Sequence, residues 1–282
     1  MSELPRIPLA EWIDQLVDWL VSQFGGLFEG ISNGLEQMVE GMVTGFGAVP
    51  AILLALIIGG IAWFVSNRNV AIFSIIGFLV IDYLGYWDAM LQTLALVLTS
   101  VIISIVVGIP VGILASQKDS VRRIVTPLLD FMQTMPAFVY LLPAIFFFNI
   151  GVVPGVVASV IFSMPPTIRL TILGIRQVPS DLIEATEAFG STTSQRLMKV
   201  QLPLAMPTIM AGINQSIMLA LSMVVIASMV GAPGLGEEVY RAVTQLKIGV
   251  GFEAGIAIVI LAIALDRMTQ NIGKQNEGSK VS

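Results

Sequence analysis

Seven long apolar stretches constrain this chain more than any other feature of its sequence. They lie at about 48–65, 70–86, 91–116, 126–149, 151–175, 205–230 and 251–267. Each is near the length of about 20 residues that an α-helix needs to cross a hydrocarbon core of about 30 Å. Backbone groups in lipid must be hydrogen-bonded internally, so the stretches are expected to be helices. The sequence therefore predicts an all-α integral membrane protein with about seven transmembrane helices.

The composition agrees with this class and argues against several kinds of chemistry. Of 282 residues, 56% are hydrophobic and only 12% are charged, about half the charged share of a soluble domain. The chain has no Cys and no His. Thiol nucleophiles, disulfides, the usual zinc ligands and the usual general base near neutral pH are therefore missing. We expect neither an enzyme nor a metal site.

The N-terminal segment carries the negative charge of the chain. In residues 1–47, acids outnumber bases seven to one, whereas the whole chain has a net charge of −5. Apolar residues between 9 and 43 recur every three or four residues, which predicts an amphipathic helix broken at Gly25-Gly26. So much charge favours a helix lying on a membrane surface, either packed on the chain's own spans or used for docking. Its acidity does not favour nucleic acid as a partner.

A charged segment between the fifth and sixth apolar stretches has the pattern of two short helices. Gly190 suits the left-handed position that ends a helix. Asp181 with Glu184, and Thr192 with Gln195, have capping-box spacing for the first and second helix. We call this segment, residues 178–203, the elbow.

The first helix of the elbow is predicted to be amphipathic. Its acidic face carries Glu184 and Glu187, and Pro203 is expected to end the second helix. Its apolar stripe consists of Leu182, Ala185 and Phe189. A flexible connector would favour Gly, Ser and Lys, so two capped helices indicate a surface made for docking. A plain connector is the alternative.

Polar and helix-kinking residues concentrate in the later apolar stretches. Such groups usually face a bundle interior or a pathway. Six of them form the candidate translocation path: Gln133, Thr134, Pro136, Asn214, Gln215 and Ser222. For Asp130 and Arg169, a structural ion pair and a role near the path both remain open.

A glycine-rich turn at 231–236 does not have the sequence of a phosphate loop. It lacks the Gly-Lys-Ser/Thr ending that such loops use to hold phosphates, so we do not expect this chain to bind ATP. The pattern predicts a turn into a short helix before the last span.

The elbow resembles the coupling loop of ABC-importer permeases. The motif comprises Glu184-Ala185-Thr186, Gly190, Val200 and Leu202-Pro203, with Thr186 where Ala is usual and Val200 where Ile is usual. Other stretches add to this, and together they resemble the permease subunit of glycine betaine/proline betaine ABC importers. These stretches are Met132–Tyr140, Pro165–Thr171, Gln201–Gly212 and Leu221–Met229.

The resemblance implies a division of the chain. Residues 1–47 would form an acidic segment on the external surface, 48–86 two accessory transmembrane helices, 88–270 a five-helix type I permease core with the elbow at 178–203, and 271–282 a cytoplasmic tail. The coupling residues it implies are Glu184, Ala185, Glu187, Gly190, Val200, Leu202 and Pro203.

The resemblance also implies partners. The permease would form a homodimer in the lipid of a bacterial cell membrane. It would work with a cytoplasmic ATPase subunit, which uses ATP with Mg²⁺, and with an extracellular or periplasmic substrate-binding protein. Imported compatible solutes would serve in osmoprotection. A secondary transporter or channel for a small polar solute is the alternative, and a membrane scaffold without transport is a third reading.

Basic residues predict the orientation. With the elbow in the cytoplasm, ten Lys and Arg residues lie inside, three lie outside and Arg169 lies within a span. The ten are Arg68, Lys118, Arg122, Arg123, Arg176, Arg196, Lys199, Arg267, Lys274 and Lys280, and the three are Arg6, Arg241 and Lys247. This places the N-terminus outside and the C-terminus in the cytoplasm.

Overall fold

The computed structural model describes residues 8–278, with side chains up to residue 270. Every regular element in this part of the chain is helical, which confirms the all-α class. The α-helices are α1 (Leu9–Gly47), α2 (Ala51–Val65), α3 (Arg68–Tyr83), α4 (Trp87–Gln117), α5 (Asp119–Thr134), α6 (Leu141–Phe148), α7 (Val152–Arg176), α8 (Ser180–Ala188), α9 (Thr193–Arg196), α10 (Leu202–Ser228), α11 (Leu235–Thr244) and α12 (Ile248–Gly278). A 3₁₀ turn (Ala137–Tyr140) precedes α6, and a π turn (Leu197–Gln201) precedes α10.

The centre of the bundle is a seam in which α7 packs between α4 and α10. Small residues let these helices approach closely. A Cβ added at Gly112 of α4 would lie 2.6 Å from the Cβ of Thr171, and one added at Gly212 of α10 would lie 3.0 Å from the carbonyl oxygen of Pro166. The seam is therefore shaped by the absence of side chains at these positions.

Buried hydroxyl groups join the same three helices. The hydroxyls of Ser104 (α4) and Ser163 (α7) lie 3.3 Å apart, and those of Thr167 (α7) and Ser216 (α10) lie 2.7 Å apart. Each of these four side chains is fully buried. Away from water, a hydroxyl without a partner would be costly, so these pairs fix the register of the helices.

By length and hydropathy, four of the described helices can cross a membrane alone, or up to six if each of two bent pairs counts as one span. The expected accessory spans are α2 and α3, which have 15 and 16 residues. Their length of about 22 to 24 Å is below a hydrocarbon core of about 30 Å. Seven full-length spans are therefore not reached, and the orientation drawn from that count stays a prediction.

The expected fourth span, 126–149, is broken. α5 ends at Thr134, and the chain bends by 107° before α6. Pro136 has no N–H to bond the carbonyl of Met132 and forces Met135 out of the helical region, to φ −69° and ψ 136°. The hydroxyl of Tyr140 donates to the freed Met132 carbonyl instead. A side-chain hydrogen bond across the bend thus replaces the backbone hydrogen bond that Pro136 removes.

The N-terminal helix α1 is continuous through Gly25-Gly26, so the predicted break there is wrong. Glycine costs about 1 kcal/mol in a helix but does not end one without a left-handed residue. Contacts also hold α1 beyond the glycines, since Phe28 stacks on Phe147 of α6 at 4.6 Å between ring centroids. Its position on a membrane surface stays a prediction.

The glycine-rich turn leads into α11, as the sequence predicted. Gly231 and Gly234 have φ of +93° and +129°, values that favour glycine. The N–H of Leu235 donates to the hydroxyl of Thr93 in α4 at 2.8 Å. α11 is thereby fixed at the end of the bundle where α4 begins. The opposite end, where α4 and α7 end and α10 begins, we call the elbow end.

Some expectations fall partly outside the described residues. The proposed polar tail, 271–282, continues α12 as far as Gly278. Its side chains and residues 279–282 lie outside the description, as do residues 1–7 with Glu3 and Arg6.

Candidate functional site

The elbow contains the two predicted helices, α8 and α9. α8 ends where Gly190 takes a φ of +75°, the left-handed conformation predicted for it. The N–H of Gly190 donates to Glu187 O at 2.9 Å, and the N–H of Ser191 to Thr186 O at 3.1 Å. This pair of bonds is the Schellman motif, which satisfies carbonyls that the helix end leaves free. The sharp turn therefore depends on a residue without a Cβ.

The two predicted capping boxes differ in outcome. At α9, the side chain of Thr192 accepts from the N–H of Gln195 at 3.3 Å and the side chain of Gln195 accepts from the N–H of Thr192 at 2.9 Å, so this box is confirmed. The box predicted for Asp181 and Glu184 is wrong. α8 starts at Ser180, which puts Asp181 inside the first turn. There the carboxylate accepts a hydrogen bond from the Ser180 hydroxyl at 3.3 Å and lies favourably for the helix dipole, but it does not cap the helix.

The second helix of the elbow does not end at Pro203, so that expectation is wrong too. α9, the π turn and α10 form one helix of 36 residues, Thr193–Ser228. In the π turn the N–H of Leu202 bonds back five residues, to Leu197 O. Pro203 directly follows this π turn, where the shifted hydrogen bonding lets the helix continue past a residue that has no N–H.

The apolar stripe on α8 is uncovered. Phe189 is 91% exposed and Leu182 is 43% exposed, and Ala185 between them is exposed as well. Glu184 is also exposed, and Glu187 forms an ion pair with Arg196 that ties α8 to α9. A large aromatic side chain with almost no contacts in its own chain indicates a surface for a partner.

The rest of the elbow is anchored to the bundle. Val178 is 7% exposed, and Leu197 and Leu202 pack on the main core. The buried Gln201 accepts a hydrogen bond from the side-chain amide of Gln117, at the end of α4, at 3.2 Å. Val200 is half-buried. A rigid base with an uncovered tip can transmit a movement without absorbing it in a flexible hinge.

The candidate path residues before the bend lie at the end of α5. Gln133, Thr134 and Pro136 are all exposed. Tyr140, just after the bend, packs in a small apolar cluster with Met223 of α10. Since Met223 follows Ser222, the bend lies beside the part of α10 that carries Ser222. Through this cluster the bend after α5 contacts α10.

The candidates on α10 separate onto two faces. Gln215 and Ser222 belong to an exposed line along the helix that also contains Met218. Asn214 is half-buried instead and faces α12. Its side-chain N–H donates to the Asp266 carboxylate at 2.9 Å, and its carbonyl oxygen accepts from the Thr269 hydroxyl at 2.6 Å. Asn214 therefore joins two helices.

Two polar clusters differ from the sequence-based candidates: the one around Asp266 was not predicted, and the role of the one formed by Asp130 and Arg169 was left open. Asp266 is held by Asn214 and by Gln270, whose side chain reaches both carboxylate oxygens at 2.8 Å. An acid at the edge of an apolar stretch was the available signal. Arg169 and Asp130, for which two roles were open, form an ion pair at 2.5 Å between α7 and α5.

Comparisons with known proteins agree with this geometry. Residues 104–275 match the family model described as binding-protein-dependent transport system inner membrane component. The chain belongs to this family. Permeases of the family are membrane components of ABC importers, which is the class indicated by the elbow.

Curated relatives of this permease are similar over nearly the whole chain. The glycine betaine transport system permease protein OpuAB of Bacillus subtilis is 77% identical over 272 residues, 96% of each chain. The glycine betaine/carnitine transport permease protein GbuB of Listeria monocytogenes is 56% identical and covers 98% of this chain and 99% of its own. ProW of Escherichia coli, a glycine betaine/proline betaine transport system permease protein, is 47% identical over 96% of this chain and 76% of its own. The predicted resemblance is confirmed.

A solved structure supports the fold of this permease. A chain of the inward-facing MetNI methionine ABC transporter aligns with a TM-score of 0.60 at 25% identity, covering 66% of this chain and 93% of its own. The family match begins within α4, includes the bend and the elbow, and ends within α12. The helices α1 to α3 lie outside the match.

Proposed function

We propose that this permease carries glycine betaine-type compatible solutes across the cell membrane and is driven through its elbow by a separate ATPase subunit. The uncovered stripe of Leu182, Ala185 and Phe189 on an anchored two-helix segment is the observation that carries the proposal. A membrane scaffold has no need of such a segment. Two positions of the motif, Glu184 and Gly190, lie within the same segment.

The substrate class follows from the relatives and from the composition of the chain. The names of these three relatives specify glycine betaine, carnitine and proline betaine, which are small zwitterions with a quaternary ammonium group. Aromatic cages usually hold such cations tightly. All four Trp residues precede residue 88 and thus the proposed core. Tight recognition would then belong to a substrate-binding protein, and the permease would offer a weak polar path.

The proposed assembly contains two copies of this chain, with ATP and Mg²⁺ bound by the ATPase partner. Several basic residues lie near the elbow end, including Lys118, Arg176 and Lys199, which supports a cytoplasmic elbow. The solute path would run past the bend after Thr134 and along the exposed line of α10. Gln133, Gln215 and Ser222 would then contact the solute, whereas Asn214 would hold α10 against α12.

The test is uptake of labelled glycine betaine into vesicles that contain the permease, its ATPase and its binding protein. We expect uptake only with ATP. Replacement Gly190→Val should reduce ATP-driven uptake by about tenfold or more, because a β-branched residue at φ +75° distorts the elbow. Gly190→Asn is the matched control, since Asn tolerates this conformation. It should retain most of the uptake.

A second replacement tests the acidic face. Glu184→Lys reverses an exposed charge on α8 without a buried contact to lose, so the helices should still insert. We expect uptake and its coupling to ATP to be lost. Uptake that continues without ATP, or that both variants leave unchanged, would favour a secondary transporter and contradict the proposal.

A further inference from the structure

α5 is held in the bundle differently from its neighbours. Leu129 is its only buried side chain among the described residues. The large apolar residues Ile124, Leu128 and Phe131 are all exposed on it. Apolar packing therefore does little to fix α5 against the rest of the chain.

Two ion pairs join α5 to α7 instead. Asp119 at the start of α5 accepts from Arg176 at 3.0 Å, and Asp130 accepts from Arg169 at 2.5 Å. Arg122 of α5 also contacts Asp119, at 3.2 Å. The two pairs are about three helical turns apart on α5 and two on α7. They form two separate links between antiparallel helices.

The position of these links matters more than their number. Arg176 is the last residue of α7, only a few residues before α8 begins at Ser180. Asp130 lies about one turn before the end of α5 at Thr134, where the chain bends. The links therefore lie between the elbow and the bend beside the proposed path.

A link of this kind responds sharply to loss of one partner. The Nε of Arg169 is enclosed and has no hydrogen-bond partner among the described residues, so the Asp130 carboxylate is the charge that holds this guanidinium. The Arg169 and Asp130 side chains are 41% and 59% exposed, so loss of one partner leaves the other charge free to turn toward water or lipid head groups, which removes the link between α5 and α7. Neutral substitution of one partner should therefore release α5 from α7.

We propose that the ion pairs Asp130–Arg169 and Asp119–Arg176 transmit the movement of the elbow from α7 to α5 and thereby to the bend. This rests on the proposed function. Asp130 and Arg169 act as positioning residues: they keep the end of α5 in step with α7, so that movement of the docked elbow opens or closes the path. Without the link, the ATPase would still hydrolyse ATP, but the bend would not move with the elbow.

The test measures both solute uptake and ATP hydrolysis in vesicles that contain the complete transporter. Asp130→Asn and Arg169→Gln should each lower the solute carried per ATP hydrolysed by at least about fivefold, the lower end of typical coupling energies. ATP hydrolysis should stay within about twofold, because the elbow is intact. The exchange of charges in the double variant Asp130→Arg/Arg169→Asp should restore most of the ratio. Glu237→Gln is the matched control, since its ion pair with Arg241 lies within one helix.

A second measurement reports on the bend directly. The chain has no Cys, so Gln133→Cys gives a single labelling site at the end of α5. In the otherwise unchanged permease, the reaction rate of this thiol with a polar reagent should change when the ATPase is trapped with ATP and vanadate. With Arg169→Gln added, that change should disappear although the trapped state still forms.

The outcomes separate the two proposals. If the unchanged complex takes up no betaine with ATP, the proposed function fails. If it does, but both single variants keep the normal ratio of solute to ATP and the normal change in thiol reactivity at position 133, the inference fails alone. Failure of the charge exchange to restore the ratio, with all variants inserted equally, would also overturn it.

Discussion

The central seam and the elbow follow opposite rules of packing. In the seam, α4, α7 and α10 approach through glycines, and buried hydroxyls such as those of Thr167 and Ser216 pair with each other. In the elbow, a Phe and a Leu lie uncovered on a helix with no buried residue. The apolar side chains of the seam are covered within one chain, whereas those of the elbow are left exposed, as the proposed docking of an ATPase requires. Changes in the seam should therefore affect folding, and changes at the tip of the elbow should affect work done with the partner.

The strongest test of this contrast is overpacking of the seam. Gly212→Val would place a Cβ 3.0 Å from both Leu170 Cβ and Pro166 O, and backbone atoms cannot yield as a flexible side chain can. We expect a loss of about 1–3 kcal/mol or more in stability, seen as a large fall in folded permease after heating in detergent. Gly60→Val is the control, because a Cβ at this position would meet no atom within 4 Å beyond the nearby backbone of its own helix. Equal stability of both variants would contradict a tightly packed seam.

The next test removes the aromatic side chain from the elbow. Phe189→Ser should lower ATP-driven uptake by about tenfold or more, as expected when an interface anchor is truncated. Thermal stability of the isolated permease should not change, because Phe189 is almost free of contacts. Tyr83→Ser, at a residue 93% exposed at the opposite end, is the matched control and should transport normally. A loss of thermal stability in Phe189→Ser with normal uptake would show that Phe189 supports the fold and does not form a docking surface.

The smallest effect comes from two serines on the same helix. Ser216 shares a buried hydrogen bond with Thr167 of α7, whereas Ser222 is exposed and bonds only to Met218 O of its own helix. Ser216→Ala should cost about 1 kcal/mol in the free energy of unfolding. Ser222→Ala should cost less than about 0.5 kcal/mol but alter uptake if the exposed line of α10 faces the solute. Unfolding in mixed micelles, together with uptake, distinguishes the two.

Local signals in the sequence were reliable where a motif is closed by its own residues. Gly190 and the Thr192–Gln195 box could be predicted because their hydrogen bonds span only a few positions. The outcome at Asp181 differed because the helix starts two residues earlier than a cap at Asp181 would place it, with Pro179 before its first turn. The prediction that Pro203 ends a helix was wrong because a π turn lies just before it and allows the helix to continue. No pattern in the sequence indicates this π turn.

Features that depend on distant residues were harder to predict. Asn214 was assigned to the path by its polarity, but Asp266 and Thr269, 52 and 55 positions away, engage its amide. The pairing of Asp130 with Arg169 could be suspected from two opposite charges, yet only the packing of α5 along α7 brings them together. The bend at Pro136 was hidden because its apolar flanks are those of an ordinary span.

The uninterrupted helix from Thr193 to Ser228 has a mechanical consequence. Its 36 residues extend for about 54 Å, more than the thickness of a bilayer. One end is part of the elbow, and the far end carries the residues just before the turn into α11. If the proposed ATPase tilts this helix at its elbow end, the far end must move in the opposite direction about a pivot within the bundle, so one movement would narrow one mouth of the proposed path and widen the other.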